Sequence, residues 1–594
     1  MTPATVSNRV RDVVRGISGQ RPFAGGRSGV HPFWRRRLPP IEQLLIVPPD
    51  LRSADPGFLF EMAEGAFGLA GVSLRLVEGS PLRIPAPPAA WECELHGFGW
   101  LRNFAADRTP EMAAQARAIV LEWIDTHGGK RPVAWRAEVL SRRVLSWLAH
   151  ADVMLDGADQ QAYDAIMTAL AIQVAELQRV ARRLPPGLPR LNAAIALLQA
   201  YLSLPQSDAE RAIAELRLTT EIENQILADG GHISRNPGVP VEILLDLVPL
   251  RQCFVARRLP CPEAIMSAVR RMIPMLRHMR MGDGSIARFN GMGLTMPDAL
   301  ATAMAYDSHY AALPPVAPDS RYARLEAGGT IAVMDTGATP PAAHARNAHA
   351  GCLSFELSAG RCPIFVNAGC AQQPPQSARA APPRATSSHS GLVIAETSSA
   401  TVGDRRRAQA YDGTVRLQGP VEAAFNSDSD AMSIAATHAG YGARFGLLHR
   451  RQLSLSRHGA HITGLDQLLA IPGRQPASLP CAIHFHLHPS VGMRMGWSTG
   501  TALLTLADGE QWRFTSADAT LSIEESAHHA LGAGSRRSLQ LVLRRMTGAE
   551  RTDVHWSLQR LTATDTATAA DGEAIIAPRQ TLADALSQVT PTDR

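Results

Sequence analysis

The residues best placed to do chemistry lie in the stretch Asp229-Gly-Gly-His-Ile-Ser-Arg-Asn-Pro-Gly-Val-Pro240. It gathers Asp229, His232, Ser234, Arg235 and Asn236 between two apolar runs, Leu216–Leu227 and Val241–Arg251, whose spacing predicts helices. Gly230 and Gly231 permit positive φ, while Pro237 and Pro240 fix φ and remove two backbone donors, so the loop is constrained. An imidazole three residues from a guanidinium suits an anionic ligand. Arginine grips a carboxylate in a fork, and histidine moves protons near neutral pH. The competing reading is a helix-capping turn whose polar groups satisfy backbone ends.

Other segments carry similar chemistry. Gly282-Asp-Gly-Ser-Ile-Ala-Arg-Phe-Asn-Gly291 is a second polar turn, with Asp283, Arg288 and Asn290. Trp135, Arg142, Arg143 and Trp147 combine flat aromatic faces, which pack on sugar rings, with cations; the alternative is core tryptophan beside solvated arginine. His344-Ala-Arg-Asn-Ala-His349 leads toward Asn367-Ala-Gly369, and Ser388-His389 opens an apolar run. His484-Phe-His-Leu-His488 puts three imidazoles on one side of a strand, as a metal face or as a polar sheet surface. Tyr441 to Arg451 is polar and aromatic, with His449 as a spare proton donor.

Elements must position these groups. From about Trp91 to Leu313 apolar residues recur at helical spacing, in runs separated by clusters such as Gly128-Gly-Lys-Arg-Pro132 and Leu184-Pro-Pro-Gly-Leu-Pro189. Antiparallel helices joined by short loops predict a helical bundle or an α/α toroid. Beyond Pro314-Pro-Val-Ala-Pro318, short strand-like runs alternate with Gly, Asn and Asp turns, which predicts an antiparallel β-sandwich. The expected organisation is α+β and multidomain. Residues 1–45 form a flexible basic segment, 46–90 a short α/β lead-in, 91–315 the toroid, 320–550 the sandwich and 551–594 a poorly ordered tail.

Composition narrows the function. The 594 residues exceed one ordinary core, and 45% hydrophobic with 19% charged residues describes a globular chain. Net charge is +5, and Lys130 is the sole lysine. The arginines are scattered, with no basic stripe interleaved with aromatics, which argues against a nucleic-acid partner. Seven irregularly spaced cysteines with no Cys-x-x-Cys pair suggest reduced thiols. No run is long and apolar enough to span a bilayer, and no signal-peptide apolar region is seen near the N-terminus, which points to the cytoplasm.

Taken together, residues from about 90 to 545 resemble the heparinase II/III-like polysaccharide lyases, through the Asp229-Gly-Gly-His232-x-x-Arg235 loop, the His344–Gly369 stretch and the His389 strand. The resemblance implies a toroid followed by a sandwich, with a cleft between them, and β-elimination of an acidic polysaccharide or oligosaccharide. It implies catalytic roles for His232, Arg235 and Asn347; the chemistry of the residues themselves adds Asn236, Asp283, Trp135 and His449 as substrate contacts. His349, Asn367 and His389 fall on metal-ligand positions. Asn347 stands where the family has a catalytic histidine, and Asn367 where it has an anionic ligand, so zinc would be held without a balancing carboxylate and no cofactor is expected to be required. The family's tyrosine has no counterpart in Met272–Asp283; His278, Tyr306 or Tyr310 would have to replace it, or elimination is lost and a glycan-binding or envelope-assembly protein remains. A periplasmic or envelope location and a homodimer are the further expectations.

Overall fold

Apolar residues at helical spacing govern the first part of the chain and alternating residues the second. The computed structural model describes residues 41–106, 109–126, 132–308, 311–370, 383–402, 415–417, 421–496, 498–530 and 534–562. The chain divides into two units. The first comprises residues up to Gly230, Val239–Ile273 and Met296–Tyr310; the second comprises Gly231–Gly238, Pro274–Thr295 and the chain from Ala311 onward.

The first unit is helical, after a small hairpin of β1 (Ala66–Leu69) and β2 (Val72–Arg75). Its helices include Pro110–Thr126, Ala137–Ala149, Gln160–Ala181, Leu188–Ser203, Asp208–Gln225 and Val239–Ala256. Leu188–Ser203 is apolar on nearly every side, so it is buried, with Ala137–Ala149 and Asp208–Gln225 among its neighbours. Ser207 and Glu210 close a capping box that starts the helix Asp208–Gln225.

Arg143 departs from the solvated arginine that its sequence suggests. It is fully buried: Nε donates to Gln173 at 2.6 Å, and Nη1 donates to the carbonyls of His96 and Ala134. Its guanidinium lies 4.4 Å from the Trp123 ring centroid and 5.2 Å from that of Trp135, so aromatic faces and carbonyl oxygens replace water around the charge. Burial lowers its pKa to about 9. Trp135 is thus the half-buried member of an otherwise buried aromatic cluster, 6.4 Å from Trp123.

The second unit is built on antiparallel sheets. One has four strands in chain order, β3 (Tyr322–Ala327), β4 (Thr330–Asp335), β5 (Phe355–Ala359) and β6 (Cys362–Phe365). Next in sequence come β7 (Leu392–Ile394) and the short pair β8 (Thr401–Val402) and β9 (Val415–Arg416). The remaining strands are β10 (Val421–Ser427), β11 (Ala431–His438), β12 (Leu447–Ser456), β13 (His461–Ala470), β14 (Pro480–His486), β15 (Gly492–Met495), β16 (Thr501–Thr505), β17 (Gln511–Thr515), β18 (Thr520–Ala530), β19 (Gly534–Met546) and β20 (Arg551–Arg560). An eight-stranded sheet runs β10-β11-β12-β13-β20-β17-β16-β15, and a four-stranded one runs β18-β19-β14-β7. The Val366 amide donates to His486 and the His488 amide to Ile364, which ties β6 to the end of β14. Phe355, Phe485, Phe514, Trp512 and Trp556 fill the space between the layers. This is the antiparallel sandwich expected after a helical toroid.

Two expectations meet the structure differently. Of the lead segment expected over residues 1–45, residues 1–40 lie outside the described residues, as does the chain beyond 562. The expected tail from 551 opens instead with β20, paired between β13 and β17. Thr552, Val554, Trp556 and Leu558 alternate inward there, and that period-two pattern is what makes the segment a strand.

Candidate functional site

All the groups that the two polar loops carry from Gly231 to Gly238 and from Pro274 to Thr295 belong to the second unit. Arg235 anchors them. Its φ is +56°, a left-handed conformation rare outside glycine, held by side-chain bonds. Its Nη2 pairs with Asp335, Nε donates to the Ser320 carbonyl at 2.9 Å, and Nη1 donates to the Ala338 carbonyl at 2.8 Å. The guanidinium packs 4.8 Å from the Tyr322 ring centroid. Burial opposes its charge, and the Asp335 carboxylate more than offsets this, holding the pKa above the usual arginine range. Gly337 leaves the space the guanidinium fills, since a side chain there would collide with it.

The same hub fixes the second loop. Asn290, with φ +47°, donates from Nδ2 to Tyr322 Oη at 2.9 Å and to Asp335 Oδ2 at 3.3 Å. Tyr322 Oη donates to the Arg235 carbonyl. Asn290 Oδ1 accepts from the His349 amide at 3.2 Å, so the hub reaches the histidine segment.

His349 and His389 form a buried pair. His389 Nδ1 lies 2.7 Å from the Ala385 carbonyl, which can only accept, so this nitrogen carries the hydrogen. His389 Nε2 is then the acceptor for His349 Nδ1 at 3.0 Å. The neutral tautomers follow in sequence, and His349 is left with a lone pair on Nε2. Burial lowers His389 to about 4, and burial, then His389 and Arg384, put His349 well below its ordinary value. Both rings are therefore neutral at physiological pH.

Neighbouring groups lock this pair in place. Asn367 donates from Nδ2 to the Arg288 carbonyl at 3.0 Å and accepts from the Ser390 amide at 3.2 Å. Glu356 accepts from the amides of Asn367 and Arg288 at 2.8 and 3.1 Å; burial raises its pKa to about 7 against the pull of Arg288. Behind them Arg451, fully buried, donates to the carbonyls of Leu353 and Ser390 and pairs with Asp466 at 2.8 Å.

The remaining residues singled out in the sequence take these positions. His232 is buried, with Nδ1 accepting from the Ser234 amide at 3.1 Å; its ring lies 6.4 Å from that of His344. Burial first, and His344 second, lower its pKa to about 3. Asn236 is half-buried and accepts from the Gly238 amide at 2.9 Å. Asn347 is exposed. Gly291, at φ +86°, lies against both asparagines: a Cβ there would sit 2.7 Å from the Asn347 carbonyl oxygen and 3.5 Å from Asn236 Nδ2. Asp283 is exposed and accepts from the Ser285 amide and hydroxyl at 2.9 and 2.7 Å. His449 is buried between Asp466, at 2.8 Å, and His438, at 3.3 Å. His278 is buried and donates from Nε2 to the Tyr322 carbonyl at 3.0 Å. Tyr306 belongs to the first unit, and Tyr310 lies outside the described residues.

The proposed zinc ligands do not fit a metal. Only His349 Nε2 keeps a lone pair: His389 gives Nε2 to His349 Nδ1 and Nδ1 to the Ala385 carbonyl, and both ends of the Asn367 amide are taken by backbone. On the histidine strand, His484 bonds Gln540, His486 bonds Ser526 and the Ser387 carbonyl, and His488 bonds Ser490. Among the described residues no set of three His, Cys, Asp or Glu gathers to hold an ion.

Asp335, Tyr322 and Glu356 escaped the sequence reading. Asp335 had a signal, for it ends the apolar run Thr330–Met334 and begins Asp335-Thr-Gly337. Tyr322 and Glu356 had none, since each matters through partners distant in sequence.

Comparison with known proteins agrees with this architecture. Residues 311–557 match the family described as Heparinase II/III-like, C-terminal. FtsZ-localized protein C of Caulobacter vibrioides is 28% identical over 88% of this chain and 91% of its own. Heparinase III has a similar fold, with a TM-score of 0.66 at 11% identity, covering 94% of this chain and 90% of that one. A heparan sulfate lyase HepC mutant from Pedobacter heparinus aligns with a TM-score of 0.57 at 15% identity, over 94% and 89% of the two chains.

Proposed function

We propose, from the match of residues 311–557 to the heparinase II/III-like C-terminal family, that this protein binds an acidic, uronate-containing glycan and cleaves it by β-elimination. The observation that carries the reading is the His389–His349 pair, whose donor order leaves His349 Nε2 unprotonated. Elimination needs the sugar carboxylate neutralised, so that the adjacent C–H becomes acidic, and a base to take that proton. The electron pair released from the C–H bond forms the new C=C bond and expels the glycosidic oxygen, which takes up a proton. In this reading the amides of Asn236 and Asn347 hydrogen-bond the carboxylate and His349 Nε2 is the base. His232 accepts on Nδ1 from its own loop and helps to hold that loop in place. Arg235 acts through the loop, setting where Asn236 stands.

The test is incubation with a panel of uronate polymers, read by the ultraviolet absorbance of the unsaturated product. We expect product from the wild-type chain and a fall in kcat of roughly 10²–10⁴-fold in His349→Gln. Undiminished turnover in that variant would remove His349 from the chemistry.

A second reading is favoured by the tyrosines. Among the described residues of the second unit, Tyr322 and Tyr441 are both buried and donate to backbone carbonyls, so neither serves readily as the acid. The protein would then be a non-catalytic glycan-binding or envelope-assembly protein, in keeping with a relative named for localising with FtsZ. Retention of the same polymers on immobilised protein, with no unsaturated product, distinguishes this reading from the first.

A further inference from the structure

Arg288 sends its guanidinium to an imidazole where a carboxylate would be usual. Its Nη1 donates to His528 Nε2 at 2.9 Å. His528 lies on β18 directly opposite Arg536 on β19, so both side chains leave the same face of the sheet. The His488 ring stands edge-on to His528, with centroids 5.3 Å apart. His488 Nδ1 accepts from the Ser490 amide at 3.3 Å, which leaves its hydrogen on Nε2, free to donate.

The charges here are unbalanced. Among the described residues neither Arg288 nor Arg536 makes an ion pair, whereas Arg235 and Arg451 each hold a carboxylate. Two carboxylates face the group. Glu356 is raised to about 7 by burial, so it is only partly ionised near neutrality, and Asp283 is exposed and already accepts from Ser285. His529, beside His528, bonds through its backbone to Ala368. Burial first, and Arg288 next, lower His528 to about 2 and His488 to about 4; Arg536 pushes both the same way, and Asp283 opposes it at His488. Two cations thus repel the protons that two adjacent imidazoles would otherwise hold.

We propose that Arg288, Arg536, His488 and His528 form a binding site for a tetrahedral oxyanion, the phosphate or sulfate group, and that binding takes up protons. An anion seated against the two guanidinium groups reverses the local field, so the imidazoles gain protons and become further donors to it. The site stands on different residues from the elimination reading and requires no turnover.

The test is calorimetric titration of the full-length protein with inorganic sulfate and inorganic phosphate at low ionic strength, in buffers of different ionisation enthalpy. We expect saturable binding that tightens about tenfold or more as pH falls from about 7.5 to about 5.5, with net proton uptake. Arg536→Gln, an exposed position, should weaken binding about tenfold with an unchanged thermal transition. His528→Gln can still accept from Arg288, and should bind at the higher pH within about threefold of wild type while taking up fewer protons; the pH dependence that remains is that of Glu356 and His488. An O-sulfated disaccharide and its desulfated counterpart separate the sources. Tighter binding of the sulfated sugar than of free sulfate assigns an ester, and equal binding assigns the free ion. Absence of saturable binding, binding indifferent to Arg536→Gln, or binding that weakens as pH falls overturns the proposal.

Discussion

Arg235 illustrates how a residue's chemistry depends on partners the local sequence does not reveal. In sequence it is a cation in a glycine- and proline-bound loop, beside a histidine, and reads as a carboxylate grip. In the structure its carboxylate is Asp335, 100 residues later, and its other donors meet backbone carbonyls. The loop's rigidity was legible from Gly230, Pro237 and Pro240; the direction of the side chain was not. Because the pair is buried, removing one member leaves the other charge uncompensated. We therefore expect Asp335→Asn to lower unfolding stability by about 3–5 kcal/mol, measured by denaturant titration. An apolar double replacement, Arg235→Met with Asp335→Leu, should be less destabilising than the single change. A single change that leaves the transition where it was would show that the pair does not hold the loop.

Elements were legible where one face is apolar and hidden where buried polar groups are paired. Helices such as Gln160–Ala181 and Leu188–Ser203 fall within the stretch from about Trp91 to Leu313 that is expected to be helical, because repeated apolar spacing defines them. Strand β13 is of the second kind. Its Asp466 and Gln467 are buried, and Asp466 is tolerable there only because Arg451, His449 and Trp556 all bond to it. No hydropathy pattern announces such a strand. Strand β20 was hidden by the Ala- and Thr-rich sequence that follows it. Its place between β13 and β17 makes a direct prediction. A chain ending at residue 562 should fold with a normal thermal transition, whereas one ending at 550 exposes two strand edges and Phe514, and should aggregate. A well-folded, soluble 550-residue product would show that β20 is dispensable.

At the scale of the whole molecule, buried histidines share one perturbation. His232, His349, His389, His438 and His486 are all held below their ordinary pKa, burial being the first cause for each. Above about pH 7 these rings are neutral in both folded and unfolded chains, so they leave stability unchanged. As pH falls below about 6.5 the unfolded chain protonates first, and each ring then costs the fold up to about 1.4 kcal/mol per pH unit. The thermal midpoint should be level near pH 8 and drop steeply between about pH 6.5 and 4.5. A midpoint that rises on acidification would contradict the burial of these rings.

The sheet-rich unit is assembled from three separate stretches of chain, two of them short inserts within the helical part. A gene cut at residue 311, where the family match begins, would discard Arg235, Arg288 and Asn290 and leave Asp335 and Glu356 buried without their partners. Dissecting the protein by linear truncation therefore cannot yield an intact C-terminal module. Recovering it would require supplying the two missing peptides in trans, or splicing them onto the fragment by circular rearrangement.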